Sequence, residues 1–183
     1  EQLRLEPNNY GVCIFHPVTT EYEANYANCK ALIDAVKDDP MEYVWIWPNM
    51  DAGSDGVSKA IRAEREGKGF AHAHFFKSLP IELYAPLLKF SKLIVGNSSS
   101  GIREAGFVGV PSVCVGSRQS GRQRDSNVIN VDADTPAIKA AIAEAKTKKL
   151  AGASLIYSQE NASQIAARHL RSIEIVRSKF LYD

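Results

Sequence analysis

Short runs of consecutive apolar residues alternate along this chain with longer stretches whose apolar positions recur at helical spacing. Val12-Cys13-Ile14-Phe15 has no polar break and ends at His16-Pro17, which predicts a strand buried on both faces. Beyond it Tyr22, Tyr26, Cys29, Leu32, Ile33 and Val36 keep three- and four-residue spacing, so a helix capped by Thr19 or Thr20 should run to about Val36. Tyr43-Val44-Trp45-Ile46-Trp47, stopped by Pro48, is the second strand. The pattern then predicts a helix over Val57 to Arg65, a strand over Ala71 to Phe76, and a helix over Ile81 to Phe90 that contains Pro86. A strand over Lys92 to Val95, a helix from about Ser100 to Phe107, and strands over Ser112 to Val115 and Val128 to Val131 follow. A helix capped by Asp134 or Thr135 runs to about Lys146, and a long last helix covers Ala162 to Phe180.

This βαβα order predicts an α/β fold: a parallel sheet with helices on both faces. In such sheets ligands lie outside the carboxyl ends of the strands. The polar clusters fall there: His16-Pro17-Val18-Thr19-Thr20, Pro48 to Gly53, Asn97 to Glu104, and Gly116 to Arg122. The run Leu93-Ile94-Val95-Gly96-Asn97-Ser98-Ser99-Ser100-Gly101-Ile102-Arg103-Glu104 is the most telling. A strand ending in serines and glycine at a helix start leaves backbone N–H groups free for an anion. Ser98, Ser99 and Ser100 add hydroxyls, and Glu104 stands where it can accept from hydroxyls such as those of a ribose. The plainer alternative is an ordinary serine-capped turn.

Length and composition narrow the classes. A chain of 183 residues with 45% hydrophobic residues fits one globular domain. A net charge of +1 with scattered cations argues against nucleic acid as a partner, and no apolar run reaches membrane-spanning length. Cys13, Cys29 and Cys114 lie within apolar patterns and read as buried free thiols of a cytoplasmic protein. No Cys or His pair has zinc-like spacing, so no metal site is expected. His72 and His74 share one strand face, a sheet surface rather than a ligand pair. Trp45 and Trp47 read as core packing rather than a stacking platform.

In order and spacing, the four polar clusters resemble the C-terminal half of the hydrolysing UDP-N-acetylglucosamine 2-epimerases of sialic-acid biosynthesis. The likeness extends from Tyr10 to about Phe180. It implies one Rossmann-like half of a GT-B fold, with UDP-sugar in the cleft between two domains. Ser98 and Ser99 would contact the diphosphate, Glu104 the ribose and Arg118 phosphate charge. Asn49 and His16 would face the sugar-phosphate side, with His16, at an exposed rim, donating a proton or orienting the phosphate. Asp51 either joins the ligand or caps the following turn, and backbone near Lys77 to Leu79 would read the uracil edge. Removal of the C2 proton while UDP leaves C1 would give a glycal, and water would then add to yield N-acetylmannosamine. No cofactor is implied.

In the family the carboxylates acting at C2 come mainly from an N-terminal domain. No stretch before Tyr10 supplies one, so residues 1–183 are expected to be the C-terminal nucleotide-binding domain alone, able to bind nucleotide but inactive without its other half. Phe180, Leu181 and Tyr182 would dock on that half, and homo-oligomerisation of the full-length protein would cover remaining apolar surface. Tyr157-Ser158-Gln159-Glu160-Asn161 departs from the family's Tyr-Gly-Asp-Gly. A GT-B glycosyltransferase donor domain and a non-catalytic nucleotide-sugar sensor remain alternatives. The sugar could also be a diacetylated bacillosamine.

Overall fold

A computed structural model describes residues 4–67, 70, 72–150, 152–157 and 161–173. Its centre is a six-stranded sheet in the order β3-β2-β1-β4-β5-β6, with every pair parallel. The strands are β1 (Tyr10–Ile14), β2 (Glu42–Ile46), β3 (Ala73–Phe76), β4 (Leu93–Gly96), β5 (Ser112–Val115) and β6 (Val128–Val131). The helices are α1 (Asn25–Val36), α2 (Ser54–Glu66), α3 (Ile81–Lys89), α4 (Glu104–Val108), α5 (Thr135–Thr147) and α6 (Ala162–Ser172).

Side-chain alternation divides the core into two layers. Cys13 and Phe15 point to the face covered by α1, α2 and α5, where they join Cys29, Leu32, Ile61 and Ile138. Tyr10, Val12 and Ile14 point to the opposite face, against Leu88 of α3 and Ala105 of α4. Both faces are thus covered, which is why β1 and β4 are apolar throughout. Trp45 is fully buried and packs edge-on against Phe70 at 5.6 Å. The half-buried Trp47 lies under the Arg62 guanidinium. Cys13, Cys29 and Cys114 are buried free thiols.

Three local departures from the sequence pattern bear on the site. The expected Thr-capped helix begins instead as a 3-10 turn over Thr19–Ala24, and neither threonine caps it. The α-helix starts only at Asn25, whose fully buried side chain turns back to the loop: its Oδ1 accepts from Val18 N–H at 2.7 Å and its Nδ2 donates to Val18 O at 3.1 Å. The expected helix from Ser100 to Phe107 is split into a 3-10 turn over Ser99–Gly101 and a short α4 that ends on left-handed Gly109. Residue 101 within that turn must be glycine, because a Cβ there would lie 2.4 Å from Ser112 Oγ. Asp134, not Thr135, caps α5, accepting from Ala137 N–H at 3.1 Å. Of the last predicted helix α6 covers Ala162–Ser172; Ile175, Val176, Phe180, Leu181 and Tyr182 lie outside the described residues, as do Ala71 and Ser158 to Glu160. No described helix is long and apolar enough to cross a membrane.

Candidate functional site

The strand order reverses direction between β1 and β4, and chains leaving their carboxyl ends part to either side. The crevice so formed is closed at its floor by Gly96 and Asn97. Gly96 pairs with Ile14 at φ +136°, and a Cβ on it would stand 2.0 Å from the Ile14 carbonyl oxygen. Only glycine permits that approach. Asn97 follows, 1% exposed, with its side chain laid across the backbone of His16. Asn97 Oδ1 accepts from His16 N–H at 2.6 Å and its Nδ2 donates to His16 O at 2.8 Å.

His16 is only 8% exposed, not the open rim residue that its place before a proline suggested. The reason is the loop after β2: the backbone N–H of Asn49 donates to His16 Nδ1 at 3.1 Å. A backbone amide can only donate, so the neutral ring carries its hydrogen on Nε2. Burial first, then the Arg118 cation, push the imidazole pKa down to about 4, with Asp51 pulling the other way. At neutral pH His16 is therefore an uncharged hydrogen-bond donor through Nε2. Asn49, an exposed residue, meets His16 through its backbone.

Arg118, at the end of β5, donates through Nη1 to the carbonyl oxygen of Asn97 at 3.2 Å. Burial lowers its pKa, Asp51 opposes that and Arg122 reinforces it; a guanidinium remains charged throughout. Arg118 and Asp51 line a hollow of about 290 Å³ whose remaining wall is the Pro17 to Thr20 loop and Ser117. The Ser117 hydroxyl donates to the Glu21 carboxylate and so ties the loop after β5 to the loop after β1. His16, Asn49, Asp51 and Arg118 thus gather around one crevice.

The serine turn leads away from it. Ser98 caps the 3-10 turn, its Oγ accepting from Ser100 N–H at 3.3 Å, and Ser98 and Ser99 are half-buried. Ser100 differs: it is buried, and its hydroxyl pairs with that of Tyr84 on α3. Tyr84 borders a second, largely apolar cleft of about 320 Å³ with Ala85, Phe107, Tyr157 and Glu104. Glu104 Oε1 is 3.4 Å from Arg103 Nη2, whereas its Oε2 is buried with no hydrogen-bond partner among the described residues. Burial pushes the Tyr84 hydroxyl to about 12, its bond to Ser100 offsets part of that, and Glu104 adds to it. Lys77 to Leu79 form the turn between β3 and α3. Among the described residues no group of His, Cys, Asp or Glu is arranged to hold a metal ion.

Asn97 and Gln119 have no local sequence signal of their part in the crevice. Gln119 is 1% exposed and donates through Nε2 to Asn97 O at 2.9 Å. A polar residue beside a strand end carries no periodic signal of being buried. Tyr84 and Asn25 each take part through contacts with loops outside their own helices, Tyr84 with Ser100 and Asn25 with Val18, which helical spacing does not reveal.

A parallel sheet ordered 3-2-1-4-5-6, with its polar loops meeting at the point where the order reverses, defines a Rossmann-like α/β domain. The chain belongs to the UDP-N-acetylglucosamine 2-epimerase family, whose pattern matches residues 1–171. It is 37% identical over 145 residues to the UDP-N-acetylglucosamine 2-epimerase of Neisseria meningitidis serogroup B, an alignment covering 79% of this chain and 37% of that protein. It is 30% identical over 162 residues to the hydrolysing UDP-N,N'-diacetylbacillosamine 2-epimerase of Legionella pneumophila, covering 88% of this chain and 42% of the relative. The fold matches the UDP-GlcNAc 2-epimerase of Methanocaldococcus jannaschii solved with UDP-GlcNAc and UDP, with a TM-score of 0.71 at 11% identity over 88% of this chain and 45% of that one. The chain thus spans less than half the length of these relatives.

Proposed function

We propose that this chain is the C-terminal, nucleotide-holding half of a hydrolysing UDP-N-acetylglucosamine 2-epimerase, with UDP seated along the carboxyl edge of the sheet. The observation that carries the reading is the crevice at the strand ends, where Arg118 and an uncharged His16 meet around Asn97. Arg118 and the Nε2–H of His16 serve the diphosphate, and the half-exposed carboxylate of Glu104 serves hydroxyls beside the apolar cleft that it lines. Ser98 and Ser99, half-buried after Asn97, donate to the same diphosphate, while Ser100 backs the turn through Tyr84. Asn49 and Asp51 border the sugar-phosphate end.

In the reaction, loss of the C2 proton to a base accompanies cleavage of the C1–O bond, and the bond's electron pair leaves with UDP. Addition of water across the resulting C1=C2 bond then places a hydroxyl on C1 and a proton on the opposite face of C2. This chain's part is to stabilise the departing diphosphate with fixed donors and one cation, which act strongest in a closed, water-poor cleft. A neutral His16 with its low pKa gives up a hydrogen bond rather than a proton at neutral pH. The base at C2 belongs to the portion of the relatives that this chain does not span, so residues 1–183 alone bind nucleotide without turnover. The membership of the family and the hydrolysing relative support this reading. Incubating the full-length protein with UDP-N-acetylglucosamine and no acceptor tests it: free N-acetylmannosamine and UDP are expected in equal amounts. Epimerised UDP-sugar without release, or release only with an added acceptor, would contradict it.

A further inference from the structure

Asn97 is the most heavily engaged polar residue of the crevice, and nothing in the hydrolysis described above uses its side chain. It is 1% exposed, and its amide closes a two-hydrogen-bond ring on the backbone of His16, at 2.6 Å and 2.8 Å. Its own N–H donates to Ile14 O at 3.1 Å. Its carbonyl receives both Arg118 Nη1 at 3.2 Å and Gln119 Nε2 at 2.9 Å. One residue therefore joins the loops after β1, β4 and β5. Without it the buried N–H and C=O of His16 lose their partners, a state that folded proteins avoid.

We propose that Asn97 is the positioning residue of the crevice: it holds the backbone of His16 and the guanidinium of Arg118 in fixed relation, so that both face one anion. Gln119 supports it from behind. What the anion is rests on the nucleotide-sugar reading; the clamp itself rests only on the geometry. Asn97 touches no reacting atom under this account and acts through His16 and Arg118.

The test uses the 183-residue chain and the variants Asn97→Ala and Thr135→Val. The second is a folding control, since the Thr135 hydroxyl donates to Ala31 O at 3.1 Å on the far side of the sheet from α3 and α4. Two quantities are read: the His16 imidazole titration by NMR, and UDP affinity by calorimetry. Asn97→Ala should return the His16 titration toward its ordinary range and weaken UDP by about tenfold or more, the scale of one lost hydrogen bond to a charged group. Thr135→Val should move neither. An unchanged His16 titration in Asn97→Ala overturns the proposal, whether or not UDP binding falls. If the wild-type chain binds no UDP but His16 still shifts in the variant, the clamp stands and the nucleotide reading fails. Should Asn97→Ala not fold, amide exchange in the wild-type protein decides: a strongly protected His16 N–H supports the clamp, and an unprotected one overturns it.

Discussion

Replacing Gly96 with alanine would put a methyl carbon 2.0 Å from the carbonyl oxygen of Ile14 and 2.7 Å from its carbon. Ordinary contact begins near 3.4 Å, so β1 and β4 would have to part by about 1.4 Å at the crevice floor. Three costs add. Holding a non-glycine residue at φ +136° costs about 1–3 kcal/mol. Forcing an extra carbon into a packed contact costs about another 1–3 kcal/mol. Losing the hydrogen bond from Asn97 N–H to Ile14 O costs about 0.5–1.5 kcal/mol. The smaller unfolded-state entropy of alanine returns about 0.4–1 kcal/mol. The net loss is about 1.5–7 kcal/mol, a large part of the roughly 5–15 kcal/mol that stabilises a domain. Urea unfolding should show this as a lower midpoint with an unchanged slope. Gly116→Ala is the comparison, because Gly116 also has positive φ (+73°) but nothing lies within 4 Å of its would-be Cβ; it should cost only about 1–2 kcal/mol. Equal losses at the two positions, or a Gly96→Ala loss below about 1 kcal/mol, would refute the close-approach argument.

His16 makes stability depend on pH. Its folded pKa, about 4, lies below the ordinary value of 6.5, so the unfolded chain takes up the proton first as pH falls. Stability is then fully present above about pH 6.5 and declines toward pH 4, by no more than about 3 kcal/mol from this residue. His16→Gln should flatten that slope in urea unfolding at several pH values, and a wild-type His16 titrating above pH 6 would contradict the assignment. Tyr84→Phe leaves the buried Ser100 hydroxyl without its partner and should destabilise by about 1–2 kcal/mol in thermal or urea unfolding. Ser98→Ala with Glu104→Ala should weaken UDP, measured calorimetrically, by about 1.5–3 kcal/mol per lost hydrogen bond to a charged group, without unfolding the domain; unchanged affinity would place the nucleotide elsewhere.

The sheet was legible because its central strands β1 and β4 are continuous apolar runs buried on both faces, set between helical spacings, whereas the edge strands β3 and β6 are only half-buried and carry His74 and Asn130. Its boundaries shifted by a few residues where backbone chemistry outweighs pattern. Thr19 and Thr20 look like caps, yet the amide of Asn25 satisfies the loop's backbone and delays the helix to residue 25. The serine turn was equally visible as a motif, but the sequence could not divide its hydroxyls. Ser100 lies in a 3-10 turn and is buried against Tyr84, a residue 16 positions away whose contact leaves no local trace. The depth of His16 was hidden for the same reason. It comes from Asn49, 33 positions away, and long-range contacts of that kind leave no local trace.

Selective nucleotide binding by this chain tests the account most directly. Calorimetric titration of residues 1–183 with UDP, with CMP and inorganic phosphate as controls, should give a saturable signal for UDP well above either control. Binding of phosphate and UDP with equal affinity would reduce the crevice to a general anion site, and CMP binding as well as UDP would contradict a uridine diphosphate site on this edge of the sheet.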